Sequence, residues 1–582
     1  MNAPSNYSLT PTVGRGMVAG RPDIAGTRHM ASAGHYLASL AAFHVLEDGG
    51  NAIDAGVAAG LALGVVQSDL VNVAGVAPIM IKLGKTGEVV TISGLGWWPR
   101  ALDPTLFQRE HDGHVPRGIL RQIIPAAPDA WLLALERYGT MSFGEVATSA
   151  IRLAEGFVMY PLMADYIATF QKDYAEWSAN AAVYLPKGAP PKAGEVFTQP
   201  DLARTLRYMA DEEHKASAKG GRVAGLKAAR AAFYEGDIAR AITKHHEANG
   251  GLLRMEDFAG YRSAIEAPVS MKFNQHTVYA CGPWCQGPAL LQALSVLDPD
   301  ALKEMGHNST AYLHTVTEAL KLAFADRERF YGDPRFIDVP IERLLSPEYA
   351  AERKRMIRPD EAWQEMPPGG AIEGYPRPRA STGDPQLPLD TSYACVTDRW
   401  GNVFSATPSD VSNSSPMVPG TGLVPSSRGS QSWGDPRHPS AAAPGKRPRL
   451  TPNPAIAIGP NGEAMPFGTP GGDVQSQAML QVFLNRTVFG MTLQESVEAP
   501  RLASFSFPDS FEPHTYLPGK LMLEGRLARS ALGPLRQLGH DVDEWQDGTW
   551  RAGAVCIIEA DAKKGLHVGA ADPRRPCYAV GW

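Results

Sequence analysis

The sequence is short of the features that mark secreted and membrane proteins. Its 582 residues include five cysteines, an odd and scattered set that argues against a disulfide framework and is typical of a reducing compartment. No run of residues reaches the ~18 apolar positions of a membrane-spanning helix. The first 20 residues also have no apolar segment of the kind that a secretion signal needs. We therefore expect a cytoplasmic protein that does not use a membrane.

The sequence also lacks the signals of nucleic-acid, metal and nucleotide binding. Its 55 basic and 61 acidic residues give a net charge of −6, so there is no general basic field for nucleic acid. Cys281 and Cys285 have no second Cys or His pair at zinc spacing, and we predict a turn with buried thiols there. The glycine-rich stretch 466–473 does not end in Gly-Lys-(Ser/Thr), which disfavours nucleotide binding. We expect neither metal nor cofactor.

The clearest positive signal in the sequence is a predicted β-hairpin. Two short runs rich in β-branched, aromatic and small residues, 392–397 and 403–407, flank a stretch of turn composition. If Thr397 faces Val403, the register brings Thr391 opposite Ser409, with side chains roughly 5 Å apart. A shift of one residue would bring Asp410 there instead.

The segment before this hairpin is rich in proline and glycine. Residues 366–390 contain six prolines and four glycines without periodicity, which predicts a flexible linker. Such a linker running into a strand that begins with threonine suits the precursor of an N-terminal-nucleophile hydrolase. In such enzymes the threonine hydroxyl attacks the preceding carbonyl, and the freed α-amine becomes its base. A threonine at a strand start is, taken alone, more often only a β-forming residue.

Five stretches in order give the hairpin a specific meaning. Residues 391–398, Thr-Ser-Tyr-Ala-Cys-Val-Thr-Asp, followed by Gly401-Asn402, resemble the start of the small subunit in the γ-glutamyltransferase family. Further stretches resemble the same family at 49–55 (GGNAIDA), 318–334 (EALKLAFADR, then GDP), 445–454 (GKRPRLTPNP) and 466–473 (PFGTPGGD). The chain is therefore identified as a member of this family of N-terminal-nucleophile hydrolases.

The resemblance implies a fold, a cleavage site and a catalytic set. The expected fold is of the α+β class, a four-layer αββα sandwich. Cleavage between Asp390 and Thr391 would leave a large chain, 1–390, and a small chain, 391–582. The two chains would stay together as a heterodimer, or as a dimer of such pairs. Thr391 would be both nucleophile and α-amine base.

The same resemblance assigns two supporting groups. Ser409 would orient the nucleophile, and the amides of Gly471 and Gly472 would form the oxyanion hole. Paired glycines at the start of a helix are a suitable anion site because their N–H groups point outward. Asp473, the next residue, is a natural N-cap for that helix.

The substrate is less well defined. Val411 replaces an expected Asn, and Ser430-Gln431 replaces an expected acidic pair, so the clamp for a γ-glutamyl amino group is incomplete. Candidate substrate-binding residues are Arg100, Arg428, Arg447, Arg449 and Asp473. Arg100 also suits a surface salt bridge, and Arg447 and Arg449 also suit pairing with nearby acids.

Two motifs favour one branch of the family. Residues 405–409 and 471–477 resemble the oxamate amidohydrolase-like branch. We therefore expect hydrolysis of a small-molecule amide with a small or dicarboxylic acyl group. One alternative is a γ-glutamyl hydrolase or transpeptidase acting on glutathione-like compounds. A second alternative is an unprocessed member of the family without catalytic activity.

Two further stretches complete the expectations, one helix and one surface insertion. Apolar residues recur every three or four positions over 309–329, which predicts a helix with one buried face. The charged, glycine-rich stretch 212–225 predicts a surface insertion.

Overall fold

A computed structural model describes residues 19–369, 380–381 and 390–582. The predicted flexible linker, 366–390, lies mostly outside these residues. No helix in the described part of the chain is both long and apolar enough to cross a bilayer.

The chain forms nineteen named strands within the described ranges, most of them short. In chain order these are β1 (Ile24–Gly26), β2 (Met30–Ala33), β3 (Ile79–Lys82), β4 (Val89–Ile92), β5 (Phe157–Val158), β6 (Val196–Phe197), β7 (Ile265–Glu266), β8 (Val269–Phe273), β9 (His276–Ala280), β10 (Ala394–Thr397), β11 (Val403–Ala406), β12 (Ala455–Ile458), β13 (Ala464–Gly468), β14 (Leu502–Ser504), β15 (Lys520–Glu524), β16 (Asp541–Trp545), β17 (Cys556–Asp561), β18 (Leu566–Ala571) and β19 (Tyr578–Gly581).

The α-helices of the same ranges vary from one turn to 35 residues. They are α1 (Tyr36–Glu47), α2 (Ala52–Val66), α3 (Leu106–Glu110), α4 (Ala127–Tyr138), α5 (Phe143–Glu155), α6 (Pro161–Thr169), α7 (Gln171–Ala175), α8 (Ser178–Tyr184), α9 (Pro200–Tyr234), α10 (Asp237–Ala248), α11 (Met255–Gly260), α12 (Gly287–Val296), α13 (Pro299–Met305), α14 (Thr310–Phe330), α15 (Ile341–Leu344), α16 (Pro347–Lys354), α17 (Val474–Thr487), α18 (Leu493–Glu498) and α19 (Gly525–Gln537).

Two seven-stranded sheets stack face to face at the centre. The first has the order β19-β2-β10-β11-β3-β4-β7, and the second has the order β1-β18-β17-β13-β12-β9-β8. Apolar side chains from β10, β17 and β18 meet between the sheets, as do others from β3, β11, β12 and β13. This arrangement makes the inner two layers of the sandwich.

A helical layer covers the outer face of each sheet. Helices α1, α2, α4, α5 and α9 share a core with the first sheet, and α12, α14, α17, α18 and α19 share a core with the second. The predicted α+β fold with αββα layers is therefore confirmed.

Helix α2 packs unusually close to the hairpin. All of its residues are buried, and Asn51 begins it with a capping box that includes Asp54, as the GGNAIDA stretch suggests. A Cβ at Gly56 would lie 2.1 Å from the ring of Phe404, on β11. Glycine at this position lets the helix seat directly on the strand.

The hairpin β10–β11 has the expected register. Thr397 pairs with Val403 and Cys395 with Ser405, so paired numbers sum to 800 as predicted. The hairpin lies inside the first sheet, where β2 and β3 pair with its two outer edges. One sheet therefore combines strands that precede Thr391 in the sequence with strands that follow it.

The prediction of a surface insertion at 212–225 is wrong. These residues belong to α9, in which Gly221 has a φ of 75° and makes a kink, and Glu213 and Gly225 are buried. The predicted helix at 309–329 is confirmed as α14, with Ser309 as its N-cap.

Candidate active site

The hydroxyl of Thr391 lies in a fully buried cluster just before β10. Its Oγ1 is 2.6 Å from Ser409 Oγ and 2.7 Å from Asp390 Oδ2. Ser409 follows β11 and pairs with Val76 in an isolated bridge, which fixes its backbone. The hairpin register therefore brings together the two hydroxyls that the sequence places opposite one another.

The backbone at Thr391 is strained. Its φ is 70°, although a β-branched residue disfavours the left-handed region. Such conformations cost on the order of 1–3 kcal/mol and persist only when the surroundings enforce them. Here the amide N–H of Thr391 donates to the Leu70 carbonyl at 3.2 Å. Because φ involves the carbonyl carbon of residue 390, cutting the 390–391 bond removes this restraint.

Arg428 connects Asp390 and Ser409, the two residues whose side chains contact the Thr391 hydroxyl. Its Nη2 lies 3.0 Å from Asp390 Oδ2 and also contacts Ser409 Oγ, and the side chain is buried. The guanidinium stacks over the ring of Phe511, 5.1 Å from its centroid. Of the sequence-predicted arginines, Arg428 is the one that the structure brings to Thr391.

A second carboxylate holds the segment that carries Arg428. Asp410 accepts hydrogen bonds from Ser426 Oγ at 2.8 Å and from Ser427 N at 3.0 Å. Its Oδ1 is 3.5 Å from Arg428 Nε. Burial raises the pKa of the Asp410 carboxyl, and the Arg428 charge and these hydrogen bonds oppose that rise. Asp410 is thus an anchor for Arg428, a role that sequence reasoning missed.

Gly471 and Gly472 lie against this cluster, where helix α17 begins. Their φ values are 122° and 54°, both in regions that glycine adopts readily. A Cβ at Gly472 would be 3.9 Å from Asp390 Oδ1, so this backbone borders the 390–391 bond. Within the described residues, neither amide N–H is bound to an acceptor. Such amides can stabilise a developing oxyanion.

Asp473 is at the N-cap position of α17, but its side chain does not cap the helix. It forms a buried ion pair with Arg327 and accepts hydrogen bonds from the Ser510 amide and hydroxyl, both at 2.7 Å. Asp473 therefore stabilises the turn behind the glycines.

A cavity of about 180 Å³ opens beside the 390–391 bond. It is small compared with the roughly 300–1,000 Å³ of drug-sized sites. Its lining includes three arginines and three acids, together with Val411, Asn413 and Phe511. The charged residues are Arg117, Arg121, Asp173, Asp390, Arg428 and Glu512. This lining favours a small ligand with charged groups.

The other arginine candidates lie elsewhere. Arg447 pairs with Glu266 at 2.8 Å and Asp333 at 3.1 Å, and Arg449 pairs with Glu328 at 2.6 Å. The side chain of Arg100 is exposed, and its backbone amide donates to Asp257. The structure therefore brings none of these three guanidinium groups to the cavity beside Asp390.

Two further residues near the nucleophile were missed. A Cβ at Gly75 would lie 2.3 Å from the Ser409 carbonyl oxygen, so glycine is needed for this approach. Gly75 is the single glycine of residues 67–82, and that was the available signal in the sequence. Asp69, next to Leu70, is fully buried with no hydrogen-bond partner for either carboxylate oxygen among the described residues. Burial raises its pKa to about 7.

One buried group within the described ranges has metal-ligand chemistry. The side chains of His314, Glu318 and His540 meet in the core of the second sheet. However, Lys321 Nζ lies 2.8 Å from Glu318 and 3.5 Å from His540 Nδ1. The two imidazoles also bond to one another at 2.8 Å. The side-chain amino group of Lys321 therefore already lies where a metal ion would have to bind.

Together, the sandwich of two sheets and the buried threonine at the start of a central strand define an N-terminal-nucleophile hydrolase. The chain belongs to the gamma-glutamyltranspeptidase family, whose model matches residues 38–582. The family resemblance and the enzyme class that the sequence suggested are confirmed.

Relatives with different named substrates match over nearly the whole chain. The glutathione hydrolase-like YwrD proenzyme of Bacillus subtilis is 30% identical, covering 96% of this chain and 99% of its own length. The oxamate amidohydrolase proenzyme of Klebsiella pneumoniae is 30% identical, with 96% and 99% covered. The solved structure of LmbA2991HD is 36% identical with a TM-score of 0.90, covering 97% of this chain and 100% of that one.

Proposed function

We propose that this protein is a self-cleaving threonine amidohydrolase that releases a small, carboxylate-bearing acyl group from an amide. The observation that carries the proposal is the buried contact set of Thr391, where one hydroxyl meets a carboxylate, a second hydroxyl and the edge of an Arg428-lined cavity. The large chain would be 1–390 and the small chain 391–582.

The first step is maturation, before any α-amine is free. Thr391 Oγ1 attacks the carbonyl carbon of residue 390, and its proton passes to the Asp390 carboxylate 2.7 Å away. The C–N bond breaks as the nitrogen of residue 391 takes up that proton, and an ester forms on Oγ1. Water then hydrolyses the ester and leaves two chains. Release of the strained φ at Thr391 favours this direction.

Turnover would use the same groups with the new chain terminus. The free α-amine, with an ordinary pKa of about 7.7 to 8.0, accepts the proton from Oγ1 as the substrate carbonyl is attacked. Ser409 Oγ holds the attacking hydroxyl, and the amides of Gly471 and Gly472 receive the oxyanion. The proton returns to the leaving amine, and water releases the acyl group.

Two observations favour an anionic acyl group. The cavity beside the scissile bond holds a guanidinium that is buried and already bound to a carboxylate. The cavity of about 180 Å³, which the Asp390 side chain helps to line in the uncut chain, also favours a small acyl group. The positions expected to clamp a γ-glutamyl amino group are instead Val411 and Ser430-Gln431.

The second candidate is a γ-glutamyl hydrolase or transpeptidase, favoured by relatives named as glutathione hydrolase proenzymes at 28–30% identity. An amide panel separates the two. Purified protein is given oxamate, a glutaryl amide and γ-glutamyl 4-nitroanilide, with Thr391→Ala as the control that remains uncut. Faster turnover of the simple dicarboxylic amides supports the proposal, and faster turnover of the γ-glutamyl compound supports the alternative. A single uncut chain of 62.5 kDa with no turnover contradicts both.

A further inference from the structure

We propose that the acyl subsite is built for a four-carbon dicarboxylic acyl group of the succinyl type, because the side chain of Asp390 occupies that subsite in the uncut chain. The inference rests on the proposed function, in which Thr391 attacks first the carbonyl of residue 390 and later that of a substrate. It adds the length and charge of the acyl group.

Maturation and turnover pass through the same kind of ester. Attack within the chain joins the Asp390 acyl group to Thr391 Oγ1, and attack on a substrate joins the substrate's acyl group to the same oxygen. Both reactions use one nucleophile and one pair of oxyanion amides. The two acyl groups therefore leave Oγ1 toward the same cavity, which Asp390 already lines.

The Asp390 carboxylate shows where a substrate carboxylate would bind. It is separated from its own carbonyl carbon by two carbon atoms, Cα and Cβ. Its Oδ2 lies 3.0 Å from Arg428 Nη2, and its Oδ1 has no hydrogen-bond partner among the described residues. A succinyl monoamide places a carboxylate at the same separation from the carbonyl that reacts.

Cleavage would leave Arg428 ready for such a group. Asp390 becomes the end of the large chain and is free to withdraw, whereas Arg428 remains buried against Phe511. Within the described ranges, Nε and Nη1 of Arg428 donate no hydrogen bond, although Asp410 lies 3.5 Å from Nε. A guanidinium with open donors in a desolvated site binds a carboxylate strongly.

Acyl length follows from this geometry. A malonyl or oxalyl group has a carboxylate too close to the carbonyl to reach Arg428. A glutaryl or γ-glutamyl group carries its carboxylate one carbon further from the carbonyl and must fold to place it where the Asp390 carboxylate meets Arg428. One methylene typically changes specificity by about 10- to 200-fold.

The test uses the mature wild-type enzyme and 4-nitroanilides of malonic, succinic, glutaric and butyric acids. The butyryl compound has the length of the succinyl compound without its carboxylate. We expect kcat/KM for succinyl to exceed that for malonyl and glutaryl by about tenfold or more. The kcat/KM of the butyryl compound should be lower by about 100-fold or more, because no carboxylate then takes the place of Asp390 at Nη2 of the buried guanidinium.

Inhibition by free acids gives a second measurement that needs no turnover of the tested compound. Succinate should compete at concentrations about tenfold lower than malonate or glutarate, and butyrate should compete least. Equal rates for the three diacids, or a butyryl rate equal to the succinyl rate, would overturn the inference and leave the proposed function standing. Failure of the cut enzyme to hydrolyse any amide, γ-glutamyl compounds included, would overturn the proposed function itself.

Discussion

The hydroxyl of Thr391 is held from two sides, by the carboxylate of Asp390 and the hydroxyl of Ser409. Both partners are buried, so neither contact is weakened by competing water. Arg428 bridges the same two partners and fixes their positions. At this scale the site is one connected set of polar contacts. Removal of any member leaves the others buried without a hydrogen-bond partner.

Replacing Ser409 tests that connection. Ser409→Ala removes the hydroxyl 2.6 Å from Thr391 Oγ1 and leaves the proposed nucleophile without its proposed orienting partner. We expect maturation and turnover each to slow by about 10- to 100-fold, from the 1–3 kcal/mol cost of an unsatisfied buried group. Ser409→Thr keeps the hydroxyl and is the matched control. Denaturing gels of samples quenched at successive times measure the rate of maturation. Equal maturation rates for Ser409→Ala and Ser409→Thr would contradict the orienting role of Ser409.

Asp69 gives a prediction on pH. Its folded pKa of about 7 lies above its ordinary value of 3.8, so the folded protein binds this proton more tightly than the unfolded chain. Stability from this group is therefore present below pH 4 and is lost as pH rises toward 7.

Asp69→Asn removes that loss because the amide stays neutral. We expect the variant to melt at a higher temperature than wild type at pH 8, with the difference shrinking toward pH 4. Thermal melts across this range measure it. A difference that stays constant with pH would show that the Asp69 carboxyl has the same pKa in the folded and unfolded protein, and would contradict the prediction.

At the scale of elements, the hairpin and the segment around Gly75 fit together backbone to backbone. Val76 bridges Ser409, and a Cβ at Gly75 would lie 2.3 Å from the Ser409 carbonyl oxygen and 2.8 Å from that of Asn72. Because both obstacles are backbone atoms, a side chain there has to displace the segment that carries Ser409 or the turn at Asn72.

Gly75→Ala is therefore expected to lower the melting temperature and to block maturation. Gly533→Ala is the matched control, since that glycine is exposed within α19 and a Cβ there meets nothing within 4 Å. The control should mature normally and melt close to the wild-type temperature, because the helix preference of alanine over glycine is opposed by the proline that follows at Pro534. Normal cleavage of Gly75→Ala would contradict the proposed packing.

The sequence predicted the elements whose pattern is local. The register of β10–β11 and helix α14 both follow from periodicity or turn composition. The continuity of α9 was not predicted because charge and glycine at 212–225 suggested a surface insertion, whereas these residues are helical and Glu213 is buried among them.

The site was predictable to a lesser extent. Thr391 and Ser409 meet because hairpin register sets them opposite one another, and register is a local property. Arg428 comes from an irregular stretch whose path depends on the buried anchor Asp410, which no periodicity reveals. The arginines in the next motif, Arg447 and Arg449, have similar surroundings in sequence but are bound to acids elsewhere.

At the scale of the whole molecule, the two proposed chains cannot separate without opening both sheets. Strands β10 and β11 lie between β2 and β3 in one sheet, and β12 pairs with β9 in the other. Cleavage at the start of β10 thus leaves shared hydrogen bonding and shared core on both sides of the cut. The pair is expected to remain at 62.5 kDa in native mass measurements while giving two unequal bands under denaturing conditions.

The most direct measurement is N-terminal sequencing of the smaller band from active protein, with Thr391→Ala prepared in parallel. The account predicts a chain that begins Thr-Ser-Tyr-Ala in the wild type and one undivided chain in the variant. A wild-type protein that hydrolyses amides while its only N-terminus is that of the full chain would contradict it.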